Sequence, residues 1–524
     1  MKKALTLSIL FEADALNRDE KIGNVLSIKK LTRGWHETYP FISKYAIRHY
    51  LFATLVKASG WIPSPLRVLK EGTREIVQLD ITKSNILTSP ELDIFGYMFT
   101  IGGQLSITRK SPLGITKAIA LEGWQGDIAL NANHDFASRA NAKPIPVNRE
   151  ESKSLFKVSF TFDIERIGNT MIDIEDFEYN PNLKKLFLYL KKGREFQFEN
   201  LNKIPEEGKY KVNDEFEIWE SQDLIYLRPL KEGLIGEYKE DEGTLKIESK
   251  KIKIKGREKK EFINVKKIEI NNEIVYVFPF LEFDPDEKKL ILGISQIIDN
   301  VEKLNDKEYK VYKEIYLSNV EELEKDKKYK SVMGTHVLIV EIKDSKVFTN
   351  GKEVGEVKEK VFRNGELKIV LSKDIGRIKI ENNKVYFLLD EKEKKERIKD
   401  LLNAIYNGLY YHSSGECVGI VPLFLIAGVV KVPIPVFHSF VDIEFYKQNH
   451  RPRFKIREDL LKKGISNGWV ESNCEGKKLI FIESREPLAL REDFIKNNSL
   501  DKWEEFLKEA SIEKEEKHTN EQKD

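Results

Sequence analysis

Side chains that could carry out catalysis are few and isolated in this 524-residue sequence. The neighbours His134 and Asp135 could act as acid and base or bind a metal, and Glu12 and Asp14 could share a cation. None of the eight histidines has a second ligand at metal spacing, and no phosphate-binding glycine loop or HExxH zinc motif occurs. We predict that His134 and Asp135 lie in an exposed loop, that Glu12 and Asp14 mark a solvated strand end, and that the chain needs no cofactor.

Basic residues accumulate in the first 50 residues, close to aromatic ones such as Trp35. Lys and Arg side chains neutralise RNA phosphates, while aromatic rings stack on unpaired bases. The candidate RNA-binding residues of this segment are Arg18, Lys21, Lys29, Lys30, Arg33, Ser43, Lys44, Arg48 and His49. The pattern also fits an ordinary mixed-charge surface, so it does not by itself establish RNA binding.

Charge is distributed unevenly, although the whole chain carries a net charge of only +2. Residues 1–150 hold 20 Lys and Arg against 14 Asp and Glu, a net charge of +6. Residues 181–400 hold 47 against 45, whereas residues 401–450 hold five charged residues in total. A highly charged middle section therefore separates two less charged sections, the first of which is basic.

Several blocks in this order resemble the DevR-type branch of the Cas-seven superfamily, the backbone subunits of type I-B CRISPR Cascade complexes. The similar blocks are Ser8–Arg18, Lys29–Arg33, Phe41–Arg48, Asp93–Gly96, Arg109–Leu113, Thr116–Ile119, Phe156–Gly168, Arg397–Tyr411 and Tyr411–Gly415. The resemblance covers residues 1–180 and 395–445. The charged section between them departs from the family pattern.

The resemblance implies an α+β fold with an RRM-like or ferredoxin-like core that carries finger and thumb insertions. It places Arg18, Lys21, Lys29, Arg33, Ser43 and Arg48 against guide phosphates, and Arg109, Lys110 and Lys117 beside a second loop that touches guide or target. The implied partners are the CRISPR guide RNA (crRNA), a target DNA strand paired to it, further copies of the chain in a head-to-tail filament, and other Cascade subunits. The implied protein is not an enzyme and works in the cytoplasm.

Two alternatives remain open at this point. Backbone subunits of type III complexes cut bound RNA with a loop aspartate and a metal, and Asp19 is the residue of this chain that could do so. A DNA-binding autoregulator is the other alternative, although no helix-turn-helix pattern supports it.

The elements needed to position these residues can be predicted from hydrophobic periodicity. We predict strands at Ala4–Phe11, Glu75–Ile81, Leu155–Ile164 and Val436–Phe445, and helices at Tyr39–Lys57 and Glu391–Tyr411. Phe156, Val158, Phe160 and Phe162 alternate with more polar residues and should share one buried face. The predicted divisions are the first part of the core at 1–180, an insertion at 181–395, the remainder of the core at 396–450, and a C-terminal extension with a polar tail at 451–524.

The insertion reads as a folded, β-rich domain with a solvated Lys and Glu face. Segments such as 251–255, 273–278 and 336–341 alternate in the manner of strands, and Asn-Gly pairs at 350–351 and 364–365 predict hairpin turns. Cys417 and Cys474 have no metal or disulfide pattern, which favours a reducing compartment. The apolar run 418–436 is interrupted by prolines, Gly428 and Lys431, so no membrane span is predicted.

Overall fold

The fold is known from a computed structural model, which describes nearly all of the chain outside short gaps. The described residues are 4–14, 18–34, 36–71, 74–102, 105–198, 201–204, 208–212, 216–221, 224–230, 238–239, 244–246, 252–255, 262–264, 266–270, 273–278, 281–284, 288–413, 416–448 and 451–510. Trp35, part of the loop at 414–415 and the predicted polar tail at 511–524 therefore lie outside the described residues.

The described elements are short helices and many strands. The helices are α1 Lys44–Ser59, α2 Pro90–Phe95, α3 His134–Arg139, α4 Glu391–Asn407, α5 Glu458–Ile465, α6 Glu492–Asn498 and α7 Trp503–Glu509. The strands of the first section are β1 Ala4–Ala13, β2 Arg18–Ile22, β3 Val25–Ile28, β4 Lys30–Arg33, β5 Glu37–Ile42, β6 Leu66–Glu71, β7 Arg74–Leu79, β8 Tyr97–Gly102, β9 Leu105–Arg109, β10 Leu113–Ile115, β11 Ala118–Ala120, β12 Asp127–Ala132, β13 Pro146–Glu151, β14 Ser154–Asp163, β15 Asn169–Asp173 and β16 Asp176–Asn180.

Strands also make up almost all of the middle section, and a smaller set follows α4. The middle strands are β17 Lys185–Phe198, β18 Leu201–Ile204, β19 Lys209–Val212, β20 Phe216–Ser221, β21 Leu224–Pro229, β22 Tyr238–Lys239, β23 Thr244–Lys246, β24 Ile252–Lys255, β25 Phe262–Asn264, β26 Lys266–Ile270, β27 Glu273–Phe278, β28 Leu281–Asp284, β29 Lys289–Ile298, β30 Val301–Lys303, β31 Glu308–Leu317, β32 Val320–Glu324, β33 Lys328–Met333, β34 His336–Lys343, β35 Lys346–Thr349, β36 Lys352–Arg363, β37 Glu366–Glu381 and β38 Lys384–Leu389. The last strands are β39 Leu409–Ser413, β40 Glu416–Ile420, β41 Phe424–Val430, β42 Ile443–Gln448, β43 Arg451–Ile456, β44 Ile480–Ser484 and β45 Leu488–Ala489. The predicted α+β class is confirmed.

A sheet with the strand order β4-β5-β11-β14-β1-β41-β44 forms the centre of the molecule. Strand β1 is antiparallel to β14 on one side and to β41 on the other. Its alternate residues Leu5, Leu7, Ile9 and Phe11 join the hydrophobic cluster that contains the buried faces of α1 and α4. Ala4 and Leu10 point to the opposite face, in a second cluster with C-terminal residues. Both faces of the central strand are therefore covered.

The strand predictions around this sheet are largely confirmed. Strands β1 and β7 lie where the periodicity places them, and β14 buries Phe156, Val158, Phe160 and Phe162 to at most 1% exposure. The C-terminal prediction is wrong, because β42 begins only at Ile443 and the apolar run supplies β41, which pairs with β1. A strand buried on both faces reads as a continuous apolar run, and that is why alternation did not mark it.

Helix α1 begins later than predicted. Residues 37–42 form β5, which pairs with β11 through Ile42 and Ala118, and the helix starts only after Ser43. The hydroxyl of Ser43 accepts a hydrogen bond from the amide of Ala46 at 3.2 Å, which caps the helix. Helix α4 likewise ends at Asn407, before the β39–β40 hairpin, and not at Tyr411.

The middle section is β-rich as predicted, and both Asn-Gly pairs adopt the left-handed conformation of hairpin turns, with φ of 47° and 85° at residues 350 and 351. Part of its buried apolar surface packs against the first section. Tyr329, Leu338 and Val340 pack in the cluster that holds α1, and β15, which precedes residue 180, pairs with β38. The insertion is thus joined to the first section by sheet pairing and by shared apolar packing.

Candidate nucleic-acid interface

The N-terminal end of α1 presents amide groups and cations on the surface. Ser43 caps the helix, Lys44 follows it exposed to solvent, and the first turn contains no acidic residue. The unpaired amides of a helix start carry partial positive charge, so this end can accept an anion such as a phosphate. The role of Ser43 and Lys44 as phosphate contacts stays a prediction.

Lys117 lies beside the same helix start because β11 pairs with β5. Ile119 is opposite Phe41 in that pairing, and the Lys117 Nζ atom lies 4.9 Å from the centre of the Phe41 ring. Lys117 is exposed. Two segments that are far apart in sequence thus place cations around the end of β5.

Arg48 follows one turn later on α1. Its guanidinium lies 4.8 Å from the Phe95 ring centre and 3.7 Å from the carboxylate of Glu91. Burial raises the pKa of Glu91, while the Ser64 amide and Arg48 act in the opposite direction. The Arg48 side chain is 38% exposed and is held against Phe95 with a face open to solvent.

The β4–β5 hairpin carries Lys30 and Arg33. The Lys30 ammonium donates to Glu150 at 2.8 Å and lies 4.0 Å from the centre of the Trp124 ring, so it is already engaged. Arg33 is exposed at the end of β4, opposite Glu37 in the pairing. Of the two, Arg33 has the more accessible charge.

The β2–β3 hairpin carries the remaining N-terminal cations, most of which have carboxylate partners. Arg18 donates to Glu151 at 3.2 Å, and Lys29 donates to Asp19 at 2.8 Å. Lys21 is exposed on the same hairpin. Pairing reduces the net field that Arg18 and Lys29 can offer an approaching phosphate.

Several basic residues of this region are exposed and form no ion pair with a described carboxylate. Within the described part of the chain, no carboxylate lies within 4.0 Å of the ammonium or guanidinium groups of Lys21, Arg33, Lys44, Lys110 and Lys117. The ion pairs of this region are formed by other basic residues, namely Arg18, Lys29, Lys30, Arg48 and Arg109. Such cations attract polyanions without first losing an internal partner.

Arg109 does not belong to this surface, and its prediction as a nucleic-acid contact is wrong. It is buried, and its guanidinium donates to Asp93 at 2.6 Å and to the carbonyl oxygens of Asn169 and Arg166 at 2.9 and 2.8 Å. A buried guanidinium that is paired in this way has no donor to offer a ligand. Its neighbour Lys110 is exposed.

His49 is exposed on α1, with its ring 6.3 Å from that of His336 in β34. Burial lowers the pKa of His336, and His49 lowers it further. His49 thus lies where α1 meets the middle section, and not at the helix start.

The carboxylates considered for catalysis are engaged elsewhere. Asp19 accepts from Lys29, Glu12 pairs with Lys153 at 3.1 Å, and Asp135 pairs with Arg139 at 3.0 Å along α3. Among the described residues no three His, Cys, Asp or Glu side chains are grouped as a metal site would require. His134 and Asp135 open a short helix, where the prediction had an exposed loop, and both are exposed.

A projecting arm formed by β12, α3 and β13 was not predicted to have a functional role. It carries four exposed apolar side chains, Ile128, Leu130, Phe136 and Ile145, at 58–78% exposure, and α3 buries none of its residues. The arm joins the β2–β3 hairpin through the parallel pairing of β13 with β3. The alternation of Ile128 and Leu130 with Asp127, Ala129 and Asn131 was a detectable strand signal.

In the part of the chain with assigned positions, no helix is long and apolar enough to cross a bilayer. Cys474 is an exposed free thiol, and the side chain of Cys417 lies outside the described residues.

Comparison with known proteins gives one clear result. The family model of the CRISPR-associated negative auto-regulator DevR/Csa2 matches residues 5–273 and 368–451, and it thus includes a part of the middle section that the resemblance above leaves out. No curated protein matches the sequence. A solved structure titled "CRISPR RNA-guided surveillance complex, pre-nicking" is similar at 10% identity and a TM-score of 0.21, over 31% of this chain and 65% of that chain, slightly less than two thirds of its length.

Proposed function

The chain belongs to the DevR/Csa2 family of CRISPR-associated proteins, and on this premise we propose that it is a non-catalytic backbone subunit that holds guide RNA in a CRISPR surveillance complex. The subunit would bind the guide by its phosphates and leave the bases to pair with target DNA. The complex would be a type I assembly, of subtype I-B, in the cytoplasm. The partners would be the guide RNA, the paired target strand, further copies of the chain and other Cascade subunits.

The observation that carries the proposal is the group of accessible cations around the start of α1. Lys44 and Lys117 lie beside a helix end that lacks acidic residues, and Arg48 lies one turn away. Arg33 adds an exposed cation at the far end of β5, opposite Glu37. These groups recognise phosphate charge and carry no information about base sequence. A subunit that must hold any guide needs this kind of recognition.

The connectivity of the central sheet supports an RRM-like core. Strand β1 leads to α1, then to β10 and β11, then to β14, and α4 connects onward to β41. The sheet order β41-β1-β14, with β10 and β11 beyond β14 and every pairing antiparallel, is the order of a ferredoxin-like sheet. We assign the segments between these elements to the finger and thumb insertions.

The projecting arm supports a thumb that acts on a neighbouring subunit or its nucleic acid. Phe136 and Ile145 are 60% and 78% exposed, and Ile128 and Leu130 of the same arm are 58% and 69% exposed. Exposed apolar clusters of this kind mark interaction surfaces. Head-to-tail contacts through the arm would give an open filament along the guide.

The test is co-expression of the tagged chain with its CRISPR array and neighbouring genes, followed by sequencing of the RNA that copurifies. Uniform guides with repeat-derived ends are the expected result. RNA of unrelated sequence, or none, would overturn the proposal. Sequence-specific duplex binding in the absence of RNA would instead support the autoregulator alternative, and metal-dependent RNA cleavage abolished by Asp19→Ala would support the nuclease alternative.

A further inference from the structure

The middle section contains a sheet whose two faces differ in chemistry. Its strand order is β18-β19-β20-β21-β27-β26, and all of its described pairings are antiparallel. One face carries Val212, Ile218, Ile225 and Leu227, each at most 3% exposed. The other face is partly covered, because Glu217 and Val275 on it are 8% and 1% exposed.

The other face displays an aromatic pair in the middle of the sheet. Trp219 of β20 and Tyr226 of β21 are directly opposite in the pairing, and both are partly exposed. Their rings are 5.3 Å apart between centres and only 10° from parallel. The two rings stack on each other, so an unpaired base would extend this stack at the outer face of one ring, as bases do on the aromatic side chains of single-strand-binding proteins.

Cations flank the aromatic pair in register with it. Lys209 of β19 lies on the adjacent strand with its Nζ atom 5.3 Å from the centre of the Trp219 ring. Two residues along, Lys211 is opposite Glu217, which accepts from Arg228 at 2.5 Å. A base that stacks on the outer face of Trp219 would replace the cation–π contact with Lys209, and its phosphate would lie close to the Lys209 ammonium.

The connection between β21 and β27, which are neighbouring strands of this sheet, contains a basic segment in its sequence. Residues 250–260 contain seven Lys and Arg and one Glu, a net charge of +6 in eleven residues. Such a segment attracts a polyanion and gives its binding a strong dependence on salt. The occupant that suits aromatic rings flanked by Lys209 and Lys211 is a nucleic acid with unpaired bases, since a duplex would not offer its bases for stacking.

We propose that the sheet face bearing Trp219 and Tyr226 is a second nucleic-acid site, which binds single-stranded nucleic acid without regard to sequence. The site is distinct from the surface around the start of α1, and it does not depend on the chain holding a guide. Unpaired guide RNA and displaced single-stranded DNA share the chemistry that the site recognises. The assignment gives a role to the middle section, for which the resemblance offered none.

The test uses the full-length chain carrying Arg33→Ala and Lys117→Ala, which weakens the first surface. Fluorescent oligo(dT), oligo(rU) and a blunt hairpin duplex are titrated against this background and against Trp219→Ala and Tyr226→Ala derivatives of it. We expect each ring removal to weaken single-strand binding roughly 5- to 100-fold, with duplex binding unchanged. Trp219→Phe should restore most of the affinity, and Trp469→Ala, which removes a tryptophan that is 47% exposed in the C-terminal extension, should change nothing.

Unchanged single-strand affinity in both ring variants would overturn the proposal, as would an equal loss in Trp469→Ala. If the ring variants fail to fold, ultraviolet crosslinking of the unsubstituted chain to oligo(dT) replaces them. Peptides that contain Trp219 or Tyr226 should then carry the crosslink, and crosslinks confined to other peptides would overturn the site. In an assembled complex, crosslinks of Trp219 or Tyr226 to RNA would identify the guide as the natural ligand, and crosslinks to DNA would identify the displaced strand.

The titration with free oligonucleotides does not depend on whether guide RNA copurifies with the chain, so it can fail or succeed independently of the proposed function.

Discussion

Asp93 and Arg397 are 304 positions apart in the chain, yet the Asp93 carboxylate accepts a hydrogen bond from the Arg397 guanidinium at 2.9 Å in a fully buried site. Arg109 binds the other carboxylate oxygen, and the Gly168 amide donates to both oxygens at 2.9 and 3.0 Å. One carboxylate thus connects α2, β9, the turn before β15 and α4. These elements border both the central sheet and the middle section.

Removing this carboxylate should destabilise the whole fold. Asp93→Ala leaves two buried guanidinium groups without their shared anion, and breaking such a pair costs about 3–5 kcal/mol. We expect a loss of that size in the free energy of unfolding measured by urea titration. Asp135→Ala is the matched control, because its pair with Arg139 is exposed and should contribute under about 0.5 kcal/mol. Similar losses in the free energy of unfolding for Asp93→Ala and Asp135→Ala would show that the buried Asp93 carboxylate stabilises the fold no more than an exposed ion pair does.

Arg33 should contribute to RNA affinity through charge alone. Loss of one phosphate contact in Arg33→Ala should weaken binding to all RNA sequences alike and reduce the salt slope of the affinity by roughly one unit. The measurement is RNA affinity at several salt concentrations. Arg491→Ala, which removes an exposed arginine paired with Glu458, is the control and should leave the slope unchanged. A normal slope in Arg33→Ala would exclude a direct phosphate contact.

The projecting arm should matter for assembly and not for stability. Phe136→Ser and Ile145→Ser alter side chains that are largely exposed, so unfolding should change by no more than about 0.5 kcal/mol. The mass of particles assembled on guide RNA should fall, because neighbouring copies lose an apolar contact. Leu304→Ser, at an exposed position of the middle section, should assemble normally. Full-size particles from the arm variants would rule out the arm as an assembly surface.

His438 should make folding stability depend on pH below neutrality. Burial, together with the nearby Lys157, lowers the pKa of His438 to about 4, and its Nδ1 atom lies 2.9 Å from the Ser159 hydroxyl. The unfolded chain takes up a proton near pH 6.5, whereas the folded chain does so only near pH 4. Stability is therefore fully present above pH 6.5 and is lost as pH falls from 6.5 to 4, by on the order of 2–3 kcal/mol.

The check is urea unfolding of the unsubstituted chain and of His438→Gln between pH 7 and pH 4. The variant lacks the titrating group and should show a flatter pH profile across that interval. His134→Gln, at an exposed position, should keep the original profile. Identical pH profiles of the free energy of unfolding for the unsubstituted chain and for His438→Gln would show that His438 does not cause the pH dependence.

The sequence could predict a strand whose residue types alternate, and it failed where apolar residues follow one another without interruption. Strand β14 alternates and was found, whereas β41, which is buried along its whole length, reads as a uniform apolar run. The start of α1 was misplaced because Tyr39 and Phe41 also fit helical spacing, and only the pairing of β5 with β11 decides between the two. Such a pairing joins residues almost 80 positions apart and leaves no local signal.

The sequence could predict that basic residues form the candidate surface, but not which of them are buried or paired with a carboxylate. Lys44, Arg33 and Lys117 are exposed as expected, since long cations are rarely buried. Arg109 is the exception, because only the fold reveals that Asp93 lies 2.6 Å from it. Lys29 and Lys30 have carboxylate partners that could not be identified from sequence, one of which, Glu150, lies 120 positions away from Lys30.

The C-terminal end of helix α1 is held by hydrogen bonds to the turn between β35 and β36. The Thr349 hydroxyl donates to the Gly60 carbonyl at 3.0 Å, and the Asn350 amide donates to the Val56 carbonyl at 2.8 Å. The sixteen residues of α1 span about 24 Å between these hydrogen bonds and Ser43. A displacement of the β33–β36 region would therefore be transmitted along a stiff helix to its start at Ser43.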